Sequence, residues 1–156
     1  MRTMLRHPIH FLALGFGSGL APKAPGTFGT LAAIPLVWLM QCLSLTGYVV
    51  VTLVAAILGF WICQYTAKAL GVHDHPAIVW DEIVGYMVAM IALPFTWYNV
   101  LLAFVLFRLF DILKPGPIGW CDRKLTGGAG IMVDDVLAGV ASTIVLHLGH
   151  AALNLG

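Results

Sequence analysis

The sequence predicts an all-α fold, a membrane-embedded helical bundle, on three observations. Hydrophobic residues make up 60% of the 156 residues and mean hydropathy is +0.95, too apolar for a surface that faces water throughout. Residues 24–67, 83–107 and 136–156 carry no Asp, Glu, Lys or Arg, and each run is long enough for at least one bilayer crossing of about 20 residues. The few charges are gathered rather than scattered, with more than half of them between Arg108 and Asp135. An apolar protein keeps charge where charge is used.

The elements follow in order. Residues 1–14 read as a short amphipathic lead-in at the interface, without the long apolar core and cleavage site of a signal peptide. Residues 15–30, rich in Gly, Pro, Ser and Thr, read as an ordered loop. A helix from Leu31 to Leu45 follows, with Pro35 in its first turns. Thr46-Gly47 breaks it, and a second helix runs from Tyr48 to Leu70, stopped by Gly71. Residues 72–79 form a polar connection containing His73-Asp74-His75-Pro76. The run 83–107 is split by Pro94, Thr96 and Asn99 into pieces of about 11 and 13 residues, roughly 17–20 Å each and too short to span about 30 Å. The spacing therefore predicts a helical hairpin over 81–113, Asp81–Leu93 out and Tyr98–Leu113 back. That hairpin sets Asp81-Glu82 beside Asp111. Residues 114–130 read as a second Gly/Pro loop, and a final helix spans Met132 to His147 with Asp134-Asp135 in its first turn. The chain is expected to form a single domain over 1–156, with Gly/Pro-rich polar loops building the active site.

Composition excludes some functions. Net charge of +1 argues against nucleic acid as a partner. Cys42, Cys63 and Cys121 form no CxxC pair and suggest no disulfide framework. GxxxxGK[ST], DxDG, CxxxxxR and GxSxG motifs are absent from the sequence. His7, His10, His147 and His150, near the chain ends, read as interfacial residues.

The chemistry rests with the charges. Apart from Asp74, the acids form three clusters, Asp81-Glu82, Asp111 with Asp122, and Asp134-Asp135. Capping and dipole compensation are the plainer roles for acids at helix starts, but two adjacent acids beside an apolar run exceed what a cap needs. Arg108, Asp111 and Lys114 share one helix face at i, i+3 and i+6. A salt-bridged ladder is the plain reading; an anion clamp beside a metal-binding carboxylate is the functional one. Asp122, Arg123 and Lys124 sit in the second loop, where a solvated turn is the plain alternative. Gly127, Gly128 and Gly130 before a helix start could let backbone approach an anion. Hard cations such as Mg²⁺ take carboxylate oxygens, and Lys114, Arg108 and Arg123 among the acids would neutralise a phosphate. Acids alone would suit ion transport; acids interleaved with bases suit a phosphorylated substrate. His75 is a candidate general acid, and Thr27 in the first loop a candidate hydrogen-bond donor.

Four blocks then carry a family resemblance. GFGSGLAPKAPGTFGTLAAIP (15–35), GVHDHPAIVWDEIVG (71–85), FRLFDILKPGPIGWCDR (107–123) and GGAGIMVDDVLAGV (127–140) resemble, in order, the signature blocks of the phosphatidylglycerophosphatase A family. The resemblance implies a bacterial inner-membrane enzyme that converts phosphatidylglycerophosphate to phosphatidylglycerol with Mg²⁺. The motif residues it implies here are Asp81, Glu82, Asp111, Lys114, Asp122, Arg123, Asp134 and Asp135, with His73, Asp74, His75 and Thr27. On that footing Asp81, Glu82, Asp111, Asp134 and Asp135 are expected to hold one or two Mg²⁺. Lys114, Arg123, Arg108 and Thr27 are expected to bind phosphate. Asp81, Glu82 and Asp111 are expected to act in catalysis, with Asp122 or His75 moving the proton. The active site would face the cytoplasm of a multi-pass protein in the lipid bilayer, with a homo-oligomer allowed. Two alternatives stay open: a small ion transporter or channel using intramembrane carboxylates, and a non-enzymatic lipid-binding subunit.

Overall fold

The computed structural model describes residues 2–71, 75–124 and 127–153. The described residues are helical and contain no strand. Among the described residues seven α-helices follow a 3-10 turn at Arg2–Arg6: α1 Pro8–Ala13, α2 Pro25–Met40, α3 Leu45–Leu70, α4 Trp80–Ala89, α5 Trp97–Leu113, α6 Pro117–Lys124 and α7 Gly127–Leu153, with a further 3-10 segment at Gly15–Leu20.

The predicted hairpin is α4 and α5. Pro94, Thr96 and Asn99 make its bend. Thr96 caps α5 by accepting the Asn99 amide through Oγ1, and Asn99 Nδ2 donates to the Pro94 carbonyl. At 10 residues, α4 is about 15 Å long and does not span a bilayer. It lies within the bundle with every residue but Glu82 buried. Non-spanning backbone is tolerated at membrane depth when protein surrounds it.

The boundaries around glycine differ from expectation. Residues 25–30 are the first turns of α2, because Pro25 at N1 presets helical φ. Pro35 consequently sits in the helix interior. The break before α3 falls at residues 41–44, where Ser44 caps the helix, so Thr46-Gly47 lies in its first turn. Part of the second loop is α6, opened by Pro117. The final helix starts at Gly127, so Asp134-Asp135 lie two turns inside it, and the helix-dipole reading of that pair is corrected. The glycines there serve packing: a Cβ on Gly128 would collide with the Phe60 carbonyl of α3. The close approach at Gly128 brings α7 against α3.

Helix α7 packs on α3, α4, α5 and α6. It crosses α4 where Gly139 faces the Gly85 carbonyl, and Gly85 in turn lies against Phe107 and the Asp135 carbonyl. Small residues let helix backbones meet this closely. Buried polar tips tie the bundle: the Tyr48 hydroxyl donates to the Met87 carbonyl at 2.6 Å, and Trp80 Nε1 donates to the Ala55 carbonyl at 3.1 Å. Some expected interfacial histidines are cross-links instead. His10 is buried against Thr66 of α3, while His147 meets the Ile91 carbonyl and His150 meets Asn99.

Leu45–Leu70 and Gly128–Leu153 are long and apolar enough to cross a membrane. The outer faces are apolar too: Trp38, Leu53, Ile57, Val105 and Leu148 are all exposed by half or more. Contiguous apolar surface of this extent is unusual for a protein surrounded by water.

Candidate active site

The helix ends bring the charges together. Asp81 and Glu82 open α4, Arg108 and Asp111 lie in the last turns of α5, and Lys114 is its C-cap. Asp134 and Asp135 come in from α7. All seven line one cavity of 310 Å³, together with Ala24, Gly26, His75 and Ile112. Lys114 holds its position with a left-handed backbone, φ 48°, a conformation that costs a non-glycine residue about 1 kcal/mol or more. It turns its ammonium back over the helix end onto Asp134 Oδ2 at 2.7 Å and Asp111 Oδ1 at 3.6 Å. Arg108 pairs with Asp111 at 2.5 Å and reaches Glu82 Oε1 at 4.0 Å.

Carboxylate oxygens of Asp81, Glu82 and Asp135 lie within 4.8 Å of one another, and so do those of Asp111, Asp134 and Asp135. Asp135 belongs to both groups. Asp81 Oδ1, Glu82 Oε2 and Asp135 Oδ2 are buried without a hydrogen-bond partner among the described residues. Among the described residues five acids meet two cations here, and an uncompensated buried charge is expensive.

Burial raises the Asp81 carboxyl well above the usual range, with the Glu82 charge adding to it. Burial likewise pushes Glu82 up to about 7, against opposing help from Arg108. For Lys114, burial alone disfavours the ammonium, but the Asp134 hydrogen bond and the charges of Asp134, Asp111 and Asp135 outweigh it and raise its pKa. The Glu82 shift has a consequence for stability. Its folded pKa lies above the ordinary 4.5, so the protonated form favours folding, and that contribution is lost as pH rises from about 4.5 through 7. In EDTA the thermal midpoint should fall across that window, and Glu82→Gln should flatten the fall. A midpoint that climbs over the same range would contradict this.

The other expected residues lie apart or outside. His75 lines the cavity, its Nδ1 accepting the Ala77 amide at 3.1 Å. Thr27 sits in the first turn of α2, beside the cavity-lining Gly26 but off the lining itself. Arg123 is exposed on α6, next to Gly119, and does not line the cavity. Asp122 is on α6, with its side chain outside the described part; His73 and Asp74 lie outside the described residues. Gly26 is the residue that charge-based reading missed. A Cβ there would meet Glu82 Oε1 at 3.0 Å and the Arg108 guanidinium at 3.2 Å, so its missing side chain lets α2 close the cavity. A Gly directly after Pro25 at a helix start was the available signal.

A helical, apolar bundle whose acids and bases line one cavity is an arrangement suited to holding a hard cation beside a phosphate. The chain belongs to the phosphatidylglycerophosphatase A family, whose model matches residues 11–150. A protein named phosphatidylglycerophosphatase A from Escherichia coli (strain K12) is 48% identical over 96% of this chain and 88% of its own. One of the same name from Haemophilus influenzae is 50% identical over 93% of this chain and 90% of its own. A Bacteroides thetaiotaomicron protein, provisionally named a phosphatidylinositol-3-phosphatase, is 39% identical over 89% of this chain and 91% of its own. No solved structure matches the chain.

Proposed function

We propose that the protein removes the terminal phosphate of phosphatidylglycerophosphate to give phosphatidylglycerol, with Mg²⁺, at the cytoplasmic face of a bacterial inner membrane. The observation that carries this reading is the meeting of Asp81, Glu82, Asp111, Asp134 and Asp135 with Arg108 and Lys114 around one cavity.

The residues fit a hard divalent cation. Oxygen-only ligands suit Mg²⁺, and the unpartnered carboxylate oxygens of Asp81, Glu82 and Asp135 are donors that the protein itself does not satisfy. The shared Asp135 accommodates one ion or two. When bound, Mg²⁺ supplies charge neutralisation and Lewis acidity toward phosphate oxygens. Arg108 and Lys114 orient the phosphoryl oxygens and stabilise the charge that gathers on them in the transition state. Water forms the new O–P bond, the P–O bond to glycerol breaks, and the departing glycerol oxygen takes a proton. His75 or Asp122 handles that transfer. Trapping a phosphorylated aspartate would replace attack by water with attack by a carboxylate.

Orientation follows from charge. Every Lys and Arg lies in the chain before α2, at the end of α3, or between the last turns of α5 and α7. Those stretches gather at the acid end of the bundle, and the opposite end carries no Lys or Arg in residues 40–48, 89–100 or 145–153. Positive charge marks the cytoplasmic side. An ion path would call for ionisable groups spaced through the bundle, whereas the described carboxylates stay at one end.

The test is phosphate release from phosphatidylglycerophosphate by the purified protein in detergent, with Mg²⁺ and with EDTA, beside Asp81→Asn. Release that needs Mg²⁺ and is lost in the variant is the expected result. No release from folded protein under any divalent metal would sink the reading.

A further inference from the structure

A second cavity of 480 Å³ adjoins the acid site. Residues 19–22, Pro25 and residues 75–77 line it, and Pro25, His75 and Pro76 line both cavities. Its walls are locked together. Gly19 presses on the Ala77 carbonyl so closely that a Cβ would collide with it. The Val79 amide donates to the Ala13 carbonyl at 2.8 Å, and the Ile78 amide donates to the His75 carbonyl at 2.9 Å. The groove is therefore built by the packing of the 3-10 segment Gly15–Leu20 on the turn before α4.

Resting on the proposed reaction, we propose that this groove binds the glycerol phosphodiester part of the lipid headgroup and sets substrate specificity. The reacting lipid carries two phosphates, one glycerol apart. The described lining of the acid cavity sets five carboxylates against two bases, a balance that disfavours a second anion. Among the described residues the groove's lining contains no carboxylate, and Lys23 is exposed between its prolines 22 and 25. His75 stands where the two cavities join. Because its Nδ1 accepts the Ala77 amide, the neutral ring carries its proton on Nε2 and is a donor. A diester oxygen or glycerol hydroxyl is a matching acceptor. His75 then reads the headgroup, apart from any role in proton transfer.

The test is binding of two soluble probes, glycerophosphoglycerol and inorganic phosphate, to the full chain in detergent with Mg²⁺. It compares wild type with Ala21→Phe, which fills the groove, and Lys23→Glu, which reverses the charge between the two lining prolines. Both variants should bind glycerophosphoglycerol weaker by about tenfold. Both should bind inorganic phosphate within about twofold of wild type, which also shows that they are folded. No glycerophosphoglycerol binding by wild type, unchanged binding by both variants, or equal loss for both probes would each overturn the groove assignment. Failure of wild type to release phosphate from the lipid, with glycerophosphoglycerol still bound, would overturn the proposed reaction and leave a polyol phosphodiester site.

Discussion

Asp135→Asn should lower kcat by about a thousandfold or more and, in EDTA, raise the thermal midpoint. The two effects share one cause. Asp135 is the carboxylate common to both acid groups, with Oδ2 buried and unpartnered. Replacing it with the isosteric amide removes a buried negative charge without opening a cavity, so the metal-free protein gains stability. The same change takes an oxygen from both of the carboxylate groups that could hold a cation. Mg²⁺ should raise the midpoint of wild type through linkage, and the variant should lose most of that rise. Scanning both proteins with EDTA and with Mg²⁺ checks the sign, and phosphate release checks the rate. A variant with normal turnover and a normal Mg²⁺ response would remove Asp135 from the site. A variant less stable than wild type in EDTA would mean that its carboxylate is satisfied after all.

The hairpin was legible because one proline and two capping residues interrupt an apolar run of the wrong length. Once Pro94, Thr96 and Asn99 fold the run back, Glu82 must come near Arg108 and Asp111, as the 4.0 Å contact shows. Chain pattern also gave Gly71, which ends α3 at φ 73°. Helix boundaries around glycine were misread for a physical reason. A glycine's preference for loops is local, whereas Gly128 and Gly139 are fixed by contacts with Phe60 and Gly85, more than fifty residues away in sequence. No local pattern encodes such a neighbour. The same limit hid the depth of Asp134 and Asp135, placed at a helix start by the glycines before them. The start of α6 could have been read, since Pro117 marks a first helical position. Charge clustering found most of the cavity's polar lining. Arg123 is exposed on α6 and off that lining, since chain proximity to Asp122 carries no information about helix facing.

Lys114 separates what holds the fold from what works on phosphate. Its ammonium satisfies Asp134, whose side chain is 3% exposed, while that of Lys114 is 28% exposed. Lys114→Ala therefore removes the ammonium that stands 2.7 Å from a buried carboxylate. Breaking a buried pair costs about 3–5 kcal/mol; partial exposure of the lysine lowers the expectation here to about 2 kcal/mol. On the proposed reaction turnover should fall by about a hundredfold or more, because a cation assigned to stabilise the phosphoryl charge is lost. The double variant Lys114→Ala with Asp134→Asn distinguishes the two losses. Removing the buried Asp134 charge as well should restore much of the stability in EDTA, yet turnover should stay low or fall further, since Asp134 is itself a ligand candidate. Urea or thermal unfolding in EDTA, set beside phosphate release, measures both. If the double variant regained activity along with stability, Lys114 would be a structural counter-ion to Asp134, and stabilisation of the phosphoryl charge would rest on Arg108.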